Sequence, residues 1–507
     1  MSGKHLNSLA SLSSVIVLAL IGVGVTLGLG AGPVTQARAA SHVYVRTDGH
    51  DVLCDGTADA PYPGSGGPGL DCAFATVQQG VDSVGSGGTV VVAAGTYVEN
   101  VSVSQDLTLQ GAGIGRTIVD GGASDSVFHI GDVTVSMTGV TIRNGNATWG
   151  GGVYLGSAST LALSSSAVVS NTATWGAGGI RNSGGTLTVS DSVVMDNVAG
   201  EGGGAGVYNG GGTLTISNST IVSNVASGGA GGGIYNGGGM LTILNSAVIG
   251  NTADDQGGGI ASWEGTLVIS SSAVSGNRVR GANARGGGIF SDDATVLTNV
   301  AVSENTSDDD GGGIHNQDAM TMTNVTVSGN TANYGGGIFN TWILTLTVVN
   351  CTIADNKISP GSNRAGGIQN YGNVTFRNTI LAYNQGANCW SDVPPDATLI
   401  SNGYNLDSGA TCGFSGAGDM HNTDSMLGPL ADNGGPAIGL GQPMLTRALL
   451  SGSPAIDAVT EGGCPSTDQR GVSRPMDGDG DGTARCDIGA FEFERKKVYL
   501  PAILNEH

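Results

Sequence analysis

Bulky side chains are scarce in this chain. Phe, Trp and Tyr make up 5% of 507 residues, too little to fill a conventional globular core. Basic residues are few: 19 Lys and Arg stand against 41 Asp and Glu, a formal net charge of −22. That balance argues against nucleic acid and anionic membranes as partners and leaves neutral glycans, cations and basic proteins. Helical periodicity is almost absent, which excludes leucine-rich and ankyrin-type repeats. No Cys-x-x-Cys occurs, so zinc-type spacing is missing, and there is no Leu-Pro-x-Thr-Gly sorting signal.

Glycine, by contrast, is abundant, at 90 residues. The 39% of hydrophobic residues recur in register, which separates the chain from a disordered polymer. One phrase keeps returning: Gly-Gly-Gly-Val-Tyr at 150–154, Gly-Gly-Ile-Arg-Asn at 178–182, Gly-Gly-Gly-Ile-Tyr-Asn at 231–236. Its aliphatic member, followed from Val153 through Ile180, Val207 and Ile234 to Ile368, advances in steps of 27, 27, 27, 26, 29, 25, 24 and 30 residues. A second marker, an Asn after a Ser, Gly, Glu, Asp or similar residue, keeps the same beat from Asn171 to Asn384. Between them lies alternating Thr-Leu-Thr-Ile, as at Thr213–Ile216, which is a strand signal. Three short strands and three Gly-rich corners in about 27 residues describe one coil of a parallel β-helix. The apolar spacing Phe74, Val77, Val81, Val84 predicts a short amphipathic helix that plugs the upper end.

The repeats resemble right-handed pectin-lyase-like β-helices and, more narrowly, bacterial surface proteins with Gly-Gly-Ala-Ile repeats, here written Gly-Gly-Gly-Ile. The expected fold is therefore all-β: a right-handed parallel β-helix of three strands per coil and about a dozen coils. At ~4.8 Å per strand the stack reaches about 55–60 Å. An N-terminal capping helix and an irregular C-terminal cap complete it. The phrases Gly403-Tyr-Asn-Leu406, Gly452-Ser-Pro-Ala-Ile-Asp457 and Cys486-Asp-Ile-Gly-Ala-Phe-Glu492 resemble the choice-of-anchor Q region of β-helical surface proteins. The expected divisions are an export signal at 1–39, an irregular opening with the capping helix at 40–88, the β-helix at 89–387, the anchor-like cap at 388–494 and a basic, apolar tail at 495–507.

Lys4 and His5, the apolar run from Val15 to Leu29 and Ala37-Arg38-Ala39 form the export signal, set against an uncleaved anchor of similar length. The mature chain is expected to be secreted or on the cell surface, monomeric and without a transmembrane segment. Cysteine usage agrees: pairing by proximity gives Cys54–Cys72, Cys389–Cys412 and Cys464–Cys486, with Cys351 a small buried hydrophobe.

Three groups of residues suggest chemistry. Asp477, Asp479 and Asp481 with Gly482 match the opening half of a calcium loop; the last acid is missing, with Ile488 in its place, and Asp487 or a neighbour is the candidate substitute. A solvated acidic turn is the plainer reading; calcium, if bound, is structural, and no organic cofactor is expected. Asp254, Arg280 and Asp308 stand three residues after successive Asn markers, so stacking brings an Arg between two acids. Resemblance to pectate lyases, which use acidic calcium ligands and an Arg or Lys base, makes this a catalytic candidate, with simple charge pairing between stacked turns as the alternative. The Gly-His-Gly and Arg-Ile-Lys phrases of polygalacturonases are missing. Tyr154, Tyr208, Tyr235, Phe290 and Phe339 each follow the aliphatic marker and point outward, a column for stacking on glycan rings or on one another. The uniform coils favour a non-catalytic protein of adhesion, glycan binding or envelope structure, whose partners are glycans or extracellular proteins. The alternative is a polysaccharide lyase or glycoside hydrolase acting on acidic glycans.

Overall fold

The computed structural model describes residues 40–341, 345–359, 364–392, 397–461 and 463–495. The export signal and nearly all of the 495–507 tail lie outside them. Each strand pairs in parallel with its equivalent one coil later: Val153 with Ile180, Ile180 with Val207, Val207 with Ile234, Ile234 with Ile260. The chain is a right-handed parallel β-helix of about a dozen coils. The three expected strands recur, as Val207–Asn209, Thr213–Ser217 and Thr220–Val222. A fourth, shorter run after the Asn marker, such as Thr252–Ala253, also pairs and builds a 9-stranded column. Ile180, Val207, Ile234 and Ile260 stack inside with Leu187, Leu214, Leu241 and Leu267. Every coil thus contributes a few aliphatics to one continuous axial core.

The corners explain the wording of the repeat. The residue before each marker Asn lies in the left-handed region, as Ser223 (φ 55°) and Asp355 (φ 56°) do, a conformation short polar residues tolerate. The first glycine of Gly231-Gly232-Gly233 is left-handed too (φ 68°), but the other two are there for closeness. A Cβ on Gly232 would lie 2.4 Å from the Gly258 carbonyl oxygen, and one on Gly233 2.7 Å from that of Gly259. The marker Asn is a ladder: Asn224 Nδ2 donates to Asn251 Oδ1 (2.9 Å), and Asn251 Nδ2 to Asn277 Oδ1 (3.0 Å). A second ladder runs through the last residue of the glycine phrase, Asn182 to Asn209 to Asn236, each step 2.7 Å.

The stack begins earlier than the periodicity suggests, because Ala40–Val45 already pairs in parallel with Val84–Val92. The helix, Val77–Ser83, is capped by Thr76, whose hydroxyl accepts from Gln79 N at 3.2 Å. Gly80 lets it lie on the sheet, since a Cβ there would be 2.6 Å from Val45 Cγ2.

The three expected disulfides are present and Cys351 is free and buried. The lower end is closed by the segment around Cys389, Cys412 and Phe414, with Phe414 against Phe376 at 5.1 Å between centroids. From there the chain does more than cap. It turns back along the outside of the third strand column as a strap, Ile438 and Met444 covering Ala247, Ala273 and Ala301. Arg447 reaches the Ser328 hydroxyl (3.0 Å) and pairs with Asp355. Leu440 N donates to the Thr220 hydroxyl at 3.1 Å. No helix among the described residues is long and apolar enough to cross a membrane.

Candidate functional site

Strand alternation places one outward residue after each buried aliphatic, and parallel register turns those residues into a column. The pairings run His129, Tyr154, Arg181, Tyr208, Tyr235, Ala261, Phe290, His315, Phe339, Gln369, Trp390. Neighbouring rings touch: Tyr208 and Tyr235 stack at 4.9 Å and 16°, His315 and Phe339 at 5.0 Å and 11°. The column changes character along its length. Its upper members, Tyr154, Tyr208 and Tyr235, are half-buried. In the lower coils Phe290 is fully buried between Trp263 (4.8 Å) and His315 (5.5 Å), and Phe339 is 9% exposed. Of the five aromatics expected to face a glycan, Phe290 therefore has no open face and Phe339 only an edge.

Two clefts open on this column. The upper, of about 310 Å³, is lined by Asn100, Asp125, His129, Thr148, Trp149 and Tyr154 among others. Beside it Trp149 (39% exposed) and Trp175 (43%) lie 6.3 Å apart. The Arg181 guanidinium is held between the rings of Trp149 (4.2 Å) and Tyr208 (4.5 Å). Its Nη1 is buried without a hydrogen-bond partner. Sequence periodicity put Arg181 in the column but gave no sign that two rings would grip it.

The lower cleft, of about 390 Å³, is lined by Arg285, Asp292, Asp310, His315, Gln317, Phe339 and Thr341. Arg285 and Asp310 are stacked partners in successive coils. Burial, with Asp309 alongside, pushes the Asp310 carboxyl up to about 7 against the opposing pull of Arg285. Burial and the nearby Arg285 charge push the His315 imidazole down to about 3, so it is neutral.

Among solved structures the chain is similar to pectate lyase Pel9A, at 15% identity over 89% of this chain and 96% of that one, with a TM-score of 0.35. It is similar as well to the PL6 family alginate lyase AlyGC, at 13% identity over 84% of this chain and 59% of that one, TM-score 0.41. Geobacillus virus E2 ORF18 aligns at 12% identity over 73% and 70%, TM-score 0.26. No family model matches the chain, and no curated protein does.

The other sequence candidates sit elsewhere. Asp308 pairs with Arg278 (2.9 Å), not with Arg280, which is exposed and in no ion pair among the described residues. The pairings Ala253–Val279–Ser307 put Asp254, Arg280 and Asp308 one residue further along in successive coils, where Asp254 accepts from Gly228 N at 3.1 Å and Asp308 from Gly281 N at 3.3 Å. In the acidic turn, ligand atoms of Asp477 and Asp479 gather with Asp457, all within 4.8 Å. Asp481 instead pairs with Arg485 at 3.2 Å. Asp487 is buried behind that cluster's Asp457, whose N–H its Oδ1 accepts at 2.7 Å. Desolvation and Glu492 nearby raise its pKa well above the usual carboxylate range. Asp457 was invisible to loop spacing because it lies 20 residues before Asp477 in the chain.

Proposed function

We propose that the chain is a non-catalytic glycan-binding β-helix of the cell exterior, with its binding face on the upper half of the aromatic column. The arrangement of Trp149, Trp175, Arg181 and Tyr208 carries this reading. Part-exposed indoles offer flat apolar faces to the C–H side of a sugar ring. Arg181 adds a fixed donor whose Nη1 has no partner among the described residues. Asn100, Asp125 and Thr148 supply polar groups in the adjoining cleft. Three disulfides suit an oxidising compartment. By its likeness to choice-of-anchor Q regions, the 388–494 segment serves attachment to the cell surface, and calcium at the Asp477 turn is structural.

The test is a glycan array probed with purified protein, where Trp149→Ala with Trp175→Ala, or Tyr208→Ala with Tyr235→Ala, is expected to abolish the signal. Binding unchanged in both double variants would reject the upper face.

One observation favours a second reading, a polysaccharide lyase or glycoside hydrolase. Asp310, with its carboxyl raised to about 7 beside Arg285, is suited to proton transfer at neutral pH. Pectate, alginate and neutral polysaccharides incubated with the protein and calcium decide between the two. New double-bond absorbance or reducing ends that vanish in Asp310→Asn would replace the non-catalytic reading.

A further inference from the structure

The lower cleft carries an argument independent of the upper face. Gln317 Nε2 lies 3.1 Å from His315 Nε2. With the Gln317 amide nitrogen facing the ring, Nε2 is the acceptor and the single ring proton belongs on Nδ1. His315 is 1% exposed and its Nδ1 is buried without a partner. The Nε–H of Arg285 is likewise buried and unpartnered. Two donors on residues that line one cleft thus go unused, and an acceptor placed there would satisfy them. The same cleft holds two carboxylates, Asp292 and Asp310, which accept no hydrogen bond from the described residues.

A ligand that satisfies this set must accept from His315 and Arg285 and donate to Asp292 and Asp310. Hydroxyl groups do both, whereas a carboxylate only accepts. Charge points the same way. The cleft is lined by Asp292 and Asp310 against one arginine, with Asp309 beside Asp310, so an anionic sugar would meet more acids than bases. The Phe339 edge supplies the apolar side that a sugar ring requires. We infer that the lower cleft is a second ligand site, built for a neutral pyranose unit of a polysaccharide rather than for a uronate.

Titration of the full-length protein with cellohexaose, xylohexaose, mannohexaose and maltohexaose, with hexagalacturonate as the acidic comparator, tests it. Calorimetry is expected to show at least one neutral oligomer binding about tenfold or more tighter than hexagalacturonate. Arg285→Gln and Asp310→Asn are each expected to weaken that binding by about tenfold or more, as loss of a hydrogen bond to a charged group implies. Nitrogen-15 spectra of the unmutated protein keep the test independent of variant folding. The His315 imidazole reports on the lower cleft and the Trp149 and Trp175 indoles on the upper face, so failure of one site is read apart from failure of the other. No neutral oligomer moving the His315 resonance, or tighter binding of hexagalacturonate there, overturns the inference.

Discussion

At the scale of single residues, the two amide ladders have a direction, and direction decides how they end. In each Asn the Nδ2 points to the next coil and the Oδ1 back to the previous one. The marker ladder runs this way from Asn171 to Asn388, whose Nδ2 donates to the buried Asp407 Oδ1 at 2.6 Å. The second ladder passes from Asn236 to the Ser262 hydroxyl, which donates to buried Asp293. Aligned amides present their positive ends downward, so a carboxylate is the fitting terminus, as at the N-terminus of a helix. Asp407 accepts from Asn388 Nδ2, Gly409 N and Cys412 N, which are all donors. Asp407→Asn therefore turns an amide N–H onto another donor, at a cost of about 1–3 kcal/mol in urea unfolding. Asn251→Ala removes the Oδ1 that accepts from both Asn224 N and Asn224 Nδ2, the latter keeping only Val194 O, and is expected to cost about 1–3 kcal/mol per unpaired group. The lower cleft sets a pH dependence. The Asp310 carboxyl titrates higher in the fold (about 7) than in the unfolded chain, so its contribution is lost as pH rises towards and through 7. His315, depressed to about 3, acts oppositely but only below its unfolded value near 6.5. The melting temperature is thus expected to fall from pH 6.5 to 8, and Asp310→Asn to flatten that fall. An unchanged slope in the variant would place the titrating group elsewhere.

At the scale of elements, the strap is the addition that the repeat does not need. It lies on outward Ala247, Ala273 and Ala301, small residues that let a second layer of backbone approach. Its charged anchor is Arg447, on Ser328 and Asp355. Arg447→Ala is expected to speed hydrogen exchange in residues 427–459 while the coil amides beneath keep their protection. Equal loss of protection in both would show strap and coils to be one cooperative unit. Farther along the same segment, calcium binding at Asp457, Asp477 and Asp479 would raise the melting temperature with calcium concentration. Asp457→Asn is expected to remove that rise.

At the scale of the whole molecule, each coil touches only its neighbours above and below, so the coil is the unit of stability. Deleting residues 181–207, one full repeat above the reach of the strap, rejoins Ile180 to Tyr208 with both ladders in register. That variant is expected to keep the β-sheet circular dichroism and a cooperative melt, whereas removal of 181–193 is expected to abolish the fold. The sequence alone determined the coil: a phrase recurring about every 27 residues dictates which side chains stack, and Ile234 lies on Ile260 as a result. The first Asn ladder, the disulfides and the capping helix were legible for the same reason, since each depends on local pattern or near-neighbour spacing. The second ladder was legible in principle, because Asn182, Asn209 and Asn236 close the repeated phrase. Only the tertiary structure decided which outward residues are covered and which acids converge. Gln469 reaches Thr326 and Asp457 joins Asp477 across intervals that no repeat encodes. Periodicity specifies neighbours along the stack; lateral neighbours come from where the strap lies and how outward rings pack, and burial there decides what each side chain can do.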